Sequence, residues 1–233
     1  SAEAADQEYK AVLSDPTATN AEIARAKRRA RDAHELWLDA AADKLIDAPG
    51  VPLALRYFGG AGLSHMKKHG TPLSAFAKVR AKASRHAKNN PLALFRKEVT
   101  ADDVMNDQVI WPGVMTRLMA CPPTCGGAAA ILVSEKFAHQ HGLNKSVRIA
   151  AQAMTTDTAS TFGAGDMMQV VGYDMARDAA KQVYEAAGIG PDDLDVVELH
   201  DCFAHNELIT YEGLGLCREG EAARSAAGST CPQ

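Results

Sequence analysis

No stretch of this sequence approaches the roughly 18 consecutive apolar residues that a membrane-spanning helix needs. The N-terminal SAEAADQEYK is also too polar for a secretory signal. Neither a membrane span nor a secreted fate is expected. The expectation is a cytoplasmic protein, or a peroxisomal one in a eukaryotic source, although the sequence carries no C-terminal S-K-L. The five cysteines are odd in number and irregularly spaced, which excludes a conventional disulfide framework and favours reduced thiols. There is no P-loop, no G-x-G-x-x-G following a strand, and no G-x-S-x-G elbow, and Gly59-Gly60-Ala61-Gly62 opens no dinucleotide-binding unit. A net charge of −4 gives no electrostatic reason to expect nucleic acid or an anionic membrane as partner. Cys121-x-x-x-Cys125 starts a loose zinc pattern, but no second pair and no histidine pair completes it, so no metal is expected. His139 and His141 lie near an expected helix end and suit terminal carbonyls or solvent.

What remains is an ordinary globular composition, 46% hydrophobic and 23% charged over 233 residues. Thr19 and Glu22 form the capping box of a helix whose apolar positions, Ile23, Ala26, Ala30, Ala33, Trp37, Ala41 and Leu45, recur at helical spacing until Pro49-Gly50. Its basic run, Arg25 to Arg31, reads as a solvated face. From Val51 to Asn90 short helices are punctuated by glycine and proline. Thr71 and Pro72 are expected as N-cap and first residue of a helix running to Ala83, and Lys78, Arg80, Lys82, Arg85, His86 and Lys88 cluster along and just beyond it. That cluster suits either solvent or a phosphorylated ligand.

Further on, Ile131-Leu132-Val133, the segment from Ser146 to Met154, and Val196 to Leu199 read as buried strands. Asp174 is expected to cap a helix that Gly188 closes, and another helix starts near Asn206. Alternating helices and strands predict an α/β layered fold. Its expected divisions are 1–50, a helical N-terminal segment, 51–120, a helical region, and 121–233, an α/β core.

The chemistry concentrates in "ELHDCFAHNEL", where an apolar segment runs directly into His200, Asp201 and Cys202. On a strand, residues i and i+2 share a face, so His200 could activate Cys202 as a nucleophile. Cys202 could equally be a small buried hydrophobe. His200 could instead donate a hydrogen bond to an oxyanion.

"AAGIGPDDLDVVELHDCFAHNELITYEGLGLC" resembles the C-terminal-domain segment of the thiolase superfamily, in the sterol carrier protein x type, with its E-L-H-D-C-F signature followed by N-E-L and Y-E-A-L-G-L-C. "FGGAGLSHMKKHG", "RHAKNNPLALFRKE", "CPPTCGGAAAILVSEKF" and "TTDTASTFGAGDMMQVVGYDMARDAA" agree in order, so the resemblance spans about Pro52 to Glu221. It implies a thiolase-like layered α/β fold, present in part, with a helical loop domain at 51–120 and an extra N-terminal helix. It also implies an acyl-CoA acyltransferase acting in lipid or sterol side-chain degradation, by thiolysis of 3-oxoacyl-CoA or the reverse condensation. Coenzyme A is then a co-substrate and no cofactor is tightly bound. By the same resemblance His200 takes the oxyanion-donor position, Cys202 loses weight as nucleophile, and Lys78, Arg80, Lys82 and His86 are placed near the CoA phosphates.

The departures are specific. No cysteine precedes Cys121, neither a G-H-P histidine nor a C-x-G cysteine is found, and Cys231 sits in no such motif. Gly126 stands where the family has Asp, and residues 1–48 match nothing in the family. The expectation is therefore a chain that is truncated or completed by another polypeptide, and a homo-oligomer or a complex with another subunit. The alternative is a non-catalytic acyl-CoA or lipid-binding subunit of thiolase fold that supports a partner.

Overall fold

The computed structural model describes residues 1–46, 48–143 and 147–225, which fall into two units, 1–57 and the remainder from Phe58. In the first unit, α1 (Ala2–Ser14) packs against α2 (Asn20–Leu45). Asp15 ends α1 and takes hydrogen bonds from the amide and hydroxyl of Thr17. The expected capping box at the start of α2 is formed. Thr19 donates its amide and hydroxyl to Glu22 at 2.9 and 2.7 Å, and the Glu22 amide returns to the Thr19 hydroxyl at 3.4 Å. Arg29 pairs with Glu8 at 2.8 Å and Arg31 with Asp32, so these members of the basic run face solvent and local carboxylates. Among the described residues no helix is long and apolar enough to cross a membrane.

The second unit is organised around α3 (Leu53–His69, from Phe58 onward), α4 (Leu73–Ala87) and α10 (Ala204–Gly213). Between α4 and α10 run α5 (Ala101–Met105), the antiparallel pair β1 (Val109–Trp111) and β2 (Met115–Thr116), α6 (Glu135–Gln140), α7 (Ser160–Gly163), α8 (Met167–Val170) and α9 (Tyr173–Ala187). A short α11 (Ala222–Ser225) follows α10. Phe76, Val79, Val104, Met115, Met119, Met168, Leu208 and Ile209 are fully or almost fully buried and form the core. Glycines on α3 allow this packing. A Cβ added at Gly62 would lie 2.2 Å from His205 Cδ2, and one at Gly59 would lie 2.9 Å from the Trp111 ring.

The helix starts differ from the sequence expectation for identifiable reasons. Pro72, not Thr71, occupies the cap position of α4, and the Thr71 hydroxyl is engaged by His65 instead. The helix also runs past Ala83 to Ala87. Gly172, at φ 95°, precedes α9, while Asp174 sits inside the first turn and pairs with Arg177 at 2.8 Å. Gly188 closes α9 in the left-handed conformation at φ 69°, as its type favours.

The larger difference concerns the strands. Ile131–Val133, the described part of the 146–154 segment and Val196–Leu199 form neither helix nor ladder, and Ser146 itself lies outside the described residues. Ile131, Val147, Met154 and Val196 are 92%, 89%, 94% and 82% exposed. A strand is stabilised by hydrogen bonds to a neighbouring strand. Among the described residues only the β1–β2 pair and an isolated bridge between Ala120 and Phe203 supply such pairing.

Candidate functional site

The loop that ends in Cys202 leads into α10, and His200, Cys202, Arg80, Lys82 and His86 border three cavities around this junction. His200 is exposed and borders a cavity of about 230 Å³ whose other walls include Gly172, Tyr173, Asn206 and Thr210. Asn206, in the first turn of α10, donates its side-chain amide to the His200 carbonyl at 2.6 Å and so fixes the histidine backbone. Burial pushes the Tyr173 hydroxyl in this wall up to about 12, which keeps it a neutral donor.

Cys202 faces a different cavity, of about 280 Å³, shared with Arg80, Met119, Cys121 and Asp201. The Cys121 amide donates to the Cys202 carbonyl at 2.8 Å, which brings the two cysteines side by side. Burial first, and Cys121 second, push the Cys202 thiol up to about 11. An activating histidine would act in the opposite direction. The residues are not on a strand, so the i, i+2 geometry that would set His200 beside Cys202 is not realised, and the two line separate cavities.

The four residues of α4 expected near CoA phosphates separate in the same way. Lys78 is exposed. Arg80 borders the Cys202 cavity, where burial lowers its guanidinium and the Asp201 carboxylate opposes that shift. Lys82 and His86 border a third cavity of about 390 Å³, which shares Asp201 and Glu207 with the second. Lys82 is largely spent within the fold: it hydrogen-bonds Glu207 and Tyr211, which bond each other, and it lies 4.9 Å from the centre of the Tyr211 ring. Burial and the neighbouring Glu207 push the Tyr211 hydroxyl up, so Tyr211 stays protonated.

A second polar cluster escaped the sequence reading. His65 is fully buried on α3 between the Thr71 hydroxyl, 2.7 Å from Nδ1, and Glu212 of α10, whose Oε1 is 3.0 Å from Nε2. Glu212 also accepts the Ala222 amide at 3.1 Å. Burial pushes its carboxyl up, but the His65 contact and the Gly220 and Ala222 amides outweigh this and hold it below the usual range. One turn further along α3, His69 has its ring centre 4.7 Å from that of His65. The readable signal was His65-x-x-x-His69, a spacing that puts both rings on one helix face. His205 is likewise fully buried and donates Nε2–H to the Val114 carbonyl at 2.8 Å. His139 and His141 lie at the end of α6, where the His141 ring packs on Phe137 at 4.2 Å.

Residues 156–233 match the family thiolase C-terminal domain-like. The chain is 48% identical over 174 residues to sterol carrier protein 2 of Bos taurus, which covers 74% of this chain and 32% of that protein. It is 33% identical over 160 residues to benzoylsuccinyl-CoA thiolase subunit BbsB of Thauera aromatica, covering 69% of this chain and 40% of that one. Among solved structures, the Ltp2-ChsH2(DUF35) aldolase is similar at a TM-score of 0.64 and 24% identity, over 82% of this chain and 50% of that chain, a likeness of fold. The chain thus spans about a third to two fifths of the length of these curated relatives.

Proposed function

We propose, on the premise that this chain is thiolase-like and carries a thiolase C-terminal domain-like segment over residues 156–233, that it takes part in acyl transfer on acyl-CoA thioesters. The reaction is thiolysis of a 3-oxoacyl-CoA or the reverse condensation, with coenzyme A as co-substrate. His200 carries this reading. It stands at the rim of a cavity, immediately before a buried helix, with its backbone pinned by Asn206. In thiolysis a thiolate adds to the 3-oxo carbonyl, the C2–C3 bond breaks to leave a new acyl thioester and the enolate of the shortened acyl-CoA, and that enolate takes up a proton. The role proposed for His200 is to donate an N–H to the oxygen that carries the negative charge. Loss of one such donor typically slows a reaction by about 10²–10³-fold.

In this reading the attacking thiolate is not Cys202, whose half-buried thiol is pushed up to about 11. It comes from another cysteine or from a completing subunit, in an oligomer or hetero-complex. Arg80 and His86 border neighbouring cavities beside α4, which supports assigning the contacts with the CoA phosphates to them. The site of action is the cytoplasm, or the peroxisome in a eukaryotic source. A second reading has a specific observation behind it: the raised Cys202 thiol equally suits a non-catalytic acyl-CoA or lipid-binding subunit that supports an active partner.

The test combines calorimetry with intact mass after incubation of the chain with a 3-oxoacyl-CoA, comparing wild type, Cys202→Ala and His200→Ala. Saturable binding without an adduct is expected, with turnover gained on adding the completing subunit and lost in His200→Ala. An adduct that disappears in Cys202→Ala overturns the assignment of the nucleophile. Binding with full turnover retained in His200→Ala leaves the supporting-subunit reading in its place.

A further inference from the structure

We infer that His65, His69 and Glu212 form a binding site for a divalent transition-metal ion of the zinc class, joining the end of α3 to α10. One donor atom from each of the three lies within 4.8 Å of the others. Two imidazoles and one carboxylate are a donor set that zinc takes in three-ligand sites, with bonds of about 2.0–2.2 Å and a fourth position left open. The His65 Nε2 to Glu212 Oε1 separation of 3.0 Å is already that of two ligands on one ion.

The surroundings supply what metal ligation requires of a histidine. With Nε2 on the ion, His65 Nδ1–H donates to the Thr71 hydroxyl at 2.7 Å, and this outer contact fixes both ring orientation and tautomer. Two atoms of the cluster are otherwise hard to account for. Glu212 Oε2 and His69 Nε2 are buried without a hydrogen bond of normal geometry, and the Glu212 side chain is fully removed from solvent. Burying polar atoms without well-formed hydrogen bonds is costly, and an ion held by the Glu212 carboxylate and the two rings offsets that cost. Glu219, whose Oε1 is 3.7 Å from His69 Nε2, is the neighbour within reach of the fourth position.

The experiment uses the full 233-residue chain, titrated with zinc by calorimetry and with cobalt(II) as the coloured substitute. The expected result is one ion per chain, a thermal midpoint that rises with zinc, and visible cobalt bands of nitrogen and oxygen ligation without a sulfur charge-transfer band. His69→Ala, which removes a ring that makes no hydrogen bond, should weaken binding at least tenfold and abolish the zinc-dependent rise. Glu212→Gln, which keeps an acceptor for His65, should do the same. Absence of saturable binding overturns the assignment. So does cobalt ligation with a sulfur charge-transfer band that persists in His69→Ala, because it places the ion at the cysteines.

Discussion

His205 shows how a single buried side chain ties stability to pH. Its ring lies against Phe76, with centres 4.3 Å apart, and burial pushes its pKa down to about 4, with the Val114 carbonyl only partly offsetting this. An unfolded chain binds a proton at this residue below about 6.5, whereas the folded chain does so only near 4. Between those values the unfolded state holds more protons, so stability falls as pH drops through this window, by about 3 kcal/mol in all. Guanidinium unfolding at pH 7 and near pH 4.5 should show that loss, and His205→Gln should flatten it. A pH-independent midpoint would mean that His205 is accessible to water. The importance of this residue could not be read locally, because the carbonyl that accepts from it belongs to a residue 91 positions earlier in the sequence. His200 was singled out because its neighbours in the sequence carry the pattern.

At the scale of elements, the glycines of α3 decide how closely it approaches α10 and the β1–β2 pair. Each glycine inside a helix costs up to about 1 kcal/mol relative to alanine. Gly62→Ala nevertheless has the opposite effect to that scale, because the new methyl would meet His205 at 2.2 Å. Overpacking of this kind costs about 1–3 kcal/mol, so the thermal midpoint should fall. Gly126→Ala, where a Cβ meets nothing within 4 Å, should leave it nearly unchanged. The helices were legible because their signals are local: the Thr19–Glu22 box, the glycine after α9, and the apolar period along α2. The strands were not, because an apolar run such as Ile131–Val133 states only what it avoids, while a ladder depends on which backbone lies beside it.

For the molecule as a whole, the exposed apolar segments at 131–133 and 147–154 and Val196 are the surface feature with the widest effect. Apolar backbone without a paired neighbour is a template for association. Light scattering coupled to gel filtration should therefore show association that grows with concentration, and Ile131→Lys together with Val147→Lys should reduce it. A concentration-independent monomer would show that the segments are covered within one chain. The contact between His65 and Glu212 has a consequence in time as well as in space. It joins residues 147 positions apart, and Lys82 waits 125 positions for Glu207. During synthesis α3 and α4 leave the ribosome long before α10 can cover them, and such distant pairings close slowly. The nascent chain should thus depend on chaperones until the last helix of its core has emerged.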